Sequence, residues 1–161
     1  MADVIRNATP HDVTGLLGLT RELAEYEKLT HLFVATEDTL REALFGARPA
    51  VEALVAERDG KLVGYALYFH NFSTFLSRRG LYLEDLYVQP ALRGSGLGTA
   101  LLRRVAAIAV ERQCGRFEWS VLDWNQNAID FYTKMGATVL PDWRIVRITD
   151  AALNRLAGAT S

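Results

Sequence analysis

Apolar and polar positions alternate with two periods along the chain, and the changes of period mark its elements. Val4-Ile5-Arg6 reads as a short strand ending at Asn7. Val13, Leu16, Leu17, Thr20, Leu23 and Ala24 then recur at helical spacing, which predicts a helix to about Glu27 with Thr9 as cap and Pro10 in its first position. Lys28 to Ala35 has no clear period and reads as a loop. Thr36-Glu37-Asp38-Thr39 starts a shorter helix through Leu44. Val51–Arg58 and Lys61–Phe69 flank Asp59-Gly60, the dipeptide of a two-residue hairpin.

The second half continues the pattern. Asn71 to Gly80 reads as a polar and aromatic connection, and Leu81–Val88 as a strand that Pro90 stops. From Gly96 a helix runs through Leu101, Leu102, Val105, Ile108 and Ala109 to about Gln113. Phe117–Leu122 is the next strand, and Asn125–Met135 a helix closed by Gly136, which suits the left-handed position past its end. Arg144–Ile148 predicts a last strand, with Asp150 capping a short tail helix. The order β-α-α-β-β-β-α-β-α-β, without repeats or an internal linker, predicts an α/β fold: one domain over residues 1–161, a single mixed central sheet flanked by helices.

Composition narrows the function. The 161 residues are 50% apolar and 23% charged with a net charge of -1, so the chain can bury a core and lacks the basic excess of a nucleic-acid binder. No apolar run reaches membrane-spanning length and no N-terminal basic-then-apolar signal is present, so a soluble protein is expected. Cys114 is the single cysteine, which rules out an internal disulfide and fits a reducing cytoplasm. His11, His31 and His70 are isolated and read as surface, loop or strand-end residues; no metal site is expected.

Arg93-Gly94-Ser95-Gly96-Leu97-Gly98-Thr99 stands where a strand gives way to a helix. Unpaired N–H groups and the positive end of the dipole make such a helix start an anion site, and glycines at 94, 96 and 98 let a phosphate reach the backbone. Arg93 is available for a charge-assisted hydrogen bond to the same anion. A nucleotide-hydrolase loop would need a lysine before Thr99, and a dinucleotide loop a further glycine after the first strand. Three glycines within an otherwise good helix former are costly without a purpose.

Arg93-x-x-Gly96-x-Gly98, the strand before it and Asn125...Phe131-Tyr132...Gly136-Ala137 resemble the GNAT superfamily of N-acetyltransferases over nearly the whole chain. Ile5-Arg6-x-Ala8-Thr9, Glu22-Leu23-Ala24-x-Tyr26-Glu27, Leu81-Tyr82-Leu83-Glu84-Asp85 and Trp124-Asn125 resemble its diamine (spermidine/spermine) and thialysine acetyltransferase branch. The resemblance implies acetyl-CoA as co-substrate, with residues 93–99 on the pyrophosphate. It also implies main-chain groups of Leu86, Tyr87 and Val88 on the acetyl carbonyl and pantetheine arm, and the turn Asn125, Gln126, Asn127 and Ala128 against that arm. Asn125 is equally a helix cap.

Transfer to an amine needs a proton acceptor, because an amine of pKa about 10 is protonated at neutral pH, and a donor for the departing thiolate. The resemblance assigns these roles to Glu84 and Tyr132. Glu84 and Asp85 are neighbours in a strand and are expected on opposite faces, with hydrogen bonding inside the sheet the rival role for Asp85. Tyr26 and Glu27 match acceptor-site positions, an aromatic face and a charge for a cation. Trp119, Ser120 and Val121 would border the same site, while Glu22 and Glu25 read as a solvated helix face. Pro141-Asp142-Trp143 stands where polyamine enzymes carry a longer acidic stretch, which leaves a compact amino-acid-like amine as open as a polyamine. The expected activity is direct acetyl transfer to a small primary amine. A protein lysine or N-terminal acetyltransferase and a non-catalytic acyl-CoA-binding module are the alternatives. Relatives form homodimers, so a homodimer is implied, with Trp143–Ile148 apolar enough to contribute.

Overall fold

A computed structural model describes residues 3–159, which divide into two compact units with the boundary between Ser120 and Val121. In the first unit five strands lie in sequence order in one sheet: β1 (Val4–Asn7), β2 (Glu52–Arg58), β3 (Lys61–Ser73), β4 (Arg78–Val88) and β5 (Phe117–Trp119). The first four pair antiparallel and β5 runs parallel to β4, so the sheet is mixed as expected. The β2–β3 turn places Asp59 and Gly60 at φ +53° and +77°, the two positive values that a tight hairpin of this twist requires.

Helices cover both faces. On one face α1 (Val13–Tyr26) and α2 (Glu37–Phe45) bury Leu16, Leu19 and Leu44 against Ala53, Val55, Tyr65, Leu67 and Tyr87. α3 (Leu97–Glu111), the connection between parallel β4 and β5, buries Leu97, Leu101, Leu102, Val105 and Ala109. Because β2 is covered on both sides, its buried run Ala53-Leu54-Val55-Ala56 reads as continuous rather than alternating. At the N-terminus Arg6 ties β1 to β2 and to the turn before α1. Its guanidinium donates to Asp12 at 2.7 and 2.9 Å and to Glu57 at 2.6 Å. Asp12, held below the usual carboxylate range chiefly by Arg6, also accepts from the Thr9 N–H at 2.7 Å, closing the 3-10 turn Pro10–Asp12 that leads into α1.

Three expectations are corrected. Asn71–Gly80, expected as a connection, is mostly strand: β3 and β4 pair out to Ser73↔Arg78, with Phe69 and Tyr82 ring centroids 5.2 Å apart, because aromatic cross-strand pairs extend the ladder beyond the reach of β2. The strand expected over 117–122 stops at Trp119. The final strand at Arg144–Ile148 is not formed, and Ile145 and Val146 stay 72% and 94% exposed. Strand-like alternation needs a partner edge to pair its peptide groups, and none is provided there among the described residues.

In the second unit, α4 (Gln126–Lys134) starts at Asn125, whose Oδ1 accepts from Ala128 N–H at 3.3 Å. It ends with Ala137 N–H on Tyr132 C=O and Gly136 N–H on Thr133 C=O, a double closure that needs Gly136 at φ +95°. α5 (Asp150–Leu156) follows, with Thr149 rather than Asp150 at the cap position. No described helix is long and apolar enough to cross a membrane.

Candidate functional site

The centre of the first unit's site is an irregularity in β4. Its pairing with β3 passes from Tyr68↔Leu83 to Leu67↔Asp85, so Glu84 is an extra residue, a bulge that re-aims the strand. β5 pairs only with Leu81, Tyr82 and Leu83, and stops before the bulge. From Glu84 to Val88, β4 therefore keeps β3 on one edge and has no strand on the other among the described residues. That edge offers a short row of peptide N–H and C=O groups beside a kinked strand.

Glu84 is exposed, whereas Asp85 is half-buried and accepts the Tyr65 hydroxyl at 3.0 Å, the within-sheet role considered for it. Burial, foremost, pushes the Asp85 carboxyl up to about 6; the Tyr65 bond opposes this, and the charges of Glu84 and Glu27 add to it. Glu27, at the end of α1, is likewise raised, first by burial and then by Glu84. Three carboxylates from two elements thus share one region, an arrangement that favours a cation.

Beside it the last turns of α1 meet the end of β4. The Arg93 guanidinium lies 4.6 Å from the Tyr26 ring centroid and 5.8 Å from that of Tyr87, and its Nε donates to the Val88 carbonyl at 3.2 Å. The cation over Tyr26 in this structure is thus the chain's own Arg93. Glu22 is not a solvated residue, contrary to expectation: it accepts the Tyr87 hydroxyl at 3.0 Å and the Gln89 amide at 3.2 Å. The phenol of Tyr87, pushed up to about 12 by burial first and by Glu22 next, stays protonated as the donor.

Past Val88 the chain turns at Pro90–Leu92 and enters the glycine run. Gly94 and Gly96 have φ +82° and +89°, which L side chains rarely adopt, and Gly96 caps α3. Gly98 is different. It is helical, and a Cβ built there would meet only Val88 Cγ2 at 3.8 Å, so nothing in the protein itself requires a glycine. The N–H groups of Leu97, Gly98 and Thr99 precede the first i→i+4 bond of α3, from Ala100 to Gly96. Ser95 Oγ is turned back onto the Leu92 carbonyl at 2.5 Å.

On β5, the Trp119 and Phe117 ring centroids are 4.9 Å apart, and Ser120 Oγ lies 2.7 Å from the Tyr82 hydroxyl. Val121, Asn125–Ala128 and Tyr132 belong to the second unit. There the half-buried Tyr132 ring is 5.4 Å from Phe131, and both lie on the helix that Asn125 caps. Among the described residues no group of three His, Cys, Asp or Glu could hold a metal ion. Glu22, Tyr65 and Gln89 were missed by sequence reasoning. For Glu22 the signal was present: it precedes Tyr26 by four residues, one helical turn, and so shares its face.

The family model for the Acetyltransferase (GNAT) family matches residues 20–137. A thialysine N-epsilon-acetyltransferase of Sus scrofa is 40% identical, covering 98% of this chain and 99% of that protein. An L-ornithine N5-acetyltransferase of Arabidopsis thaliana is 36% identical, covering 94% and 86%. Among solved structures, an integron cassette protein from the mobile metagenome of V. cholerae superposes with a TM-score of 0.83 at 28% identity, covering 99% of both chains.

Proposed function

The chain belongs to the acetyltransferase (GNAT) family and is an N-acetyltransferase, and from that premise we propose that it moves an acetyl group from acetyl-CoA directly to a primary amine of a small molecule. The amine is a lysine-like amino acid, a diamine or a polyamine. The observation that carries this reading is the bulge at Glu84, which puts an exposed carboxylate at the head of an unpaired peptide edge leading into the glycine turn.

The residues present suit acetyl-CoA. The open space at Gly98 and the N–H groups of residues 97–99 fit a pyrophosphate, and main-chain groups of Leu86, Tyr87 and Val88 fit an amide-bearing arm. Asn125 to Ala128 are assigned to the same arm. The bound co-substrate supplies an activated thioester carbonyl. Glu84 accepts the proton of the ammonium, directly or through a water, so that the nitrogen lone pair can attack the carbonyl carbon. Tyr132 gives its phenolic proton to the sulfur as the C–S bond breaks; the second proton of the attacking nitrogen, lost as the amide forms, returns to the Tyr132 phenolate, and Glu84 gives its proton to solvent. No acyl-enzyme is formed. Glu27, Glu84 and Asp85 attract the cation, and Tyr26, Trp119, Ser120 and Val121 border it. The names of the relatives favour thialysine and L-ornithine as first acceptors. The protein is further assigned to the cytoplasm, with one unpaired cysteine, as a homodimer to which the exposed Trp143, Ile145 and Val146 contribute.

A thiol-release assay with acetyl-CoA and thialysine, L-ornithine, lysine, spermidine and small diamines tests the proposal. Turnover with at least one is expected. Acetyl-CoA binding without turnover on any of them would favour the non-catalytic module instead.

A further inference from the structure

We propose that Glu22 is a positioning residue that fixes the spacing between the end of α1, which carries Tyr26 and Glu27, and the end of β4, which carries the peptide edge. The proposal rests on the function assigned above to those two elements. Glu22 itself touches neither amine nor co-substrate in this reading.

Two ties join α1 to this part of the molecule. In the first, the Glu22 carboxylate receives the Tyr87 hydroxyl at 3.0 Å and the Gln89 side-chain amide at 3.2 Å. These donors stand on either side of Val88. In the second, Arg93 holds the Val88 carbonyl at 3.2 Å through Nε and lies over Tyr26 at 4.6 Å. The circuit runs from Glu22 across to residues 87–89, on to Arg93, and back to α1 one turn after Glu22. One tie alone would leave a hinge; two, a helical turn apart, fix both the separation and the rotation of α1 against the strand. Tyr87 is only 4% exposed, so its hydroxyl has left bulk water and depends on an internal acceptor. A charged acceptor shared by two donors holds its geometry better than a neutral one.

The consequence is specific. Tyr26 and Glu27 are assigned to the amine, and Leu86 to Val88 to the thioester. Loosening the first tie changes where the amine meets the carbonyl without removing any group that binds either one. Small misplacements of this kind cost turnover more than binding.

The test compares wild type, Glu22→Gln and the reversed pair E22Q/Q89E, with thialysine as the acceptor. Glu22→Gln keeps the shape but removes the charge and turns the acceptor facing the Gln89 amide into a second NH2 donor, leaving one amide oxygen, uncharged, for Tyr87, while E22Q/Q89E restores a carboxylate–amide bond with its direction inverted. Expected are a fall in kcat on the order of tenfold for Glu22→Gln, a CoA dissociation constant and unfolding midpoint close to wild type, and recovery of most of the loss in E22Q/Q89E. Unchanged kcat in Glu22→Gln overturns the proposal. So does a loss that tracks lower CoA affinity and a lower unfolding midpoint, or one that the reversed pair does not recover. Absence of thiol release by the wild-type protein with every amine of the panel would instead refute the proposed function. In that case amide hydrogen exchange decides on the tie alone: Glu22→Gln must accelerate exchange in both 19–29 and 85–93, and unchanged exchange in either segment overturns it.

Discussion

Replacing Gly98 with alanine should make the protein more stable and its acetyl-CoA site worse. Gly98 is the second residue of α3, and a Cβ there would find only Val88 Cγ2, at 3.8 Å, an ordinary contact. The fold has room for the methyl group, and the helical backbone gains because the unfolded chain loses glycine's freedom. The gain is about 0.5–1 kcal/mol, which raises Tm by about 1–4 °C in a chain of this length. In the proposed pyrophosphate site the same methyl group projects toward the N–H groups of residues 97–99, where the phosphate is assigned. A hydrogen bond to a charged group is worth about 1.5–3 kcal/mol, so losing one raises KM for acetyl-CoA by roughly ten- to hundredfold, with kcat at saturation little changed. Thermal unfolding and steady-state thiol release, with acetyl-CoA varied at saturating thialysine, measure both effects. An unchanged KM would refute the phosphate assignment at Gly98, and a lowered Tm would refute the claim that the space is open.

Gly96→Ala should behave in the opposite way in stability, since φ +89° forces strain of about 1–2 kcal/mol on an L residue and Tm should fall; a Tm at or above wild type would contradict it. Tyr132→Phe should lower kcat by on the order of a hundredfold with CoA affinity retained, as measured by single-turnover kinetics and calorimetry; an unchanged rate removes Tyr132 from the mechanism. Asp85 gives a pH signature. Its carboxyl is raised from 3.8 to about 6, so the native state binds the proton more tightly than the unfolded chain. Its favourable contribution is full below about pH 4, is lost as pH rises toward 6, and is absent above. Asp85→Asn should therefore flatten the fall in unfolding free energy between pH 4 and 7, by at most about 2–3 kcal/mol, leaving the smaller slope due to Glu27. Urea titrations across that range would show it, and an identical slope in both proteins would refute it.

Most of the fold was legible because its elements advertise themselves locally. The Asp59-Gly60 turn, the caps at Thr9, Thr36 and Asn125, and Gly136 each follow from what one or two residues can do with the backbone. What could not be read depends on partners distant in sequence. The ladder beyond Phe69 exists because Tyr82 and Leu81 arrive opposite it. Residues 144–148 carry a strand's pattern but pair with no edge among the described residues. Glu84 was legible as a carboxylate near the turn, but not as a bulge, because a bulge is a mismatch between two strands and neither shows it alone. Glu22 looked like one of several acidic residues on a helix until Tyr87 and Gln89 came against it. Asp85 illustrates the same limit: its raised pKa comes first from burial and then from the charges of neighbouring Glu84 and of Glu27 on another element, against the opposing Tyr65 hydrogen bond.

The central claim is that this chain transfers acetyl directly from acetyl-CoA to a small amine, with Glu84 taking the proton. A stoichiometric measurement tests it most directly: CoA thiol and N-acetylated thialysine quantified together, for wild type and Glu84→Gln, with intact-protein mass determined in the absence of amine. Equal amounts of thiol and N-acetyl product are expected from wild type, far slower formation of both from Glu84→Gln with CoA still bound, and no acetylated protein without amine. Thiol release without acetylated amine, a stable acetyl-protein, or full activity in Glu84→Gln would contradict the account.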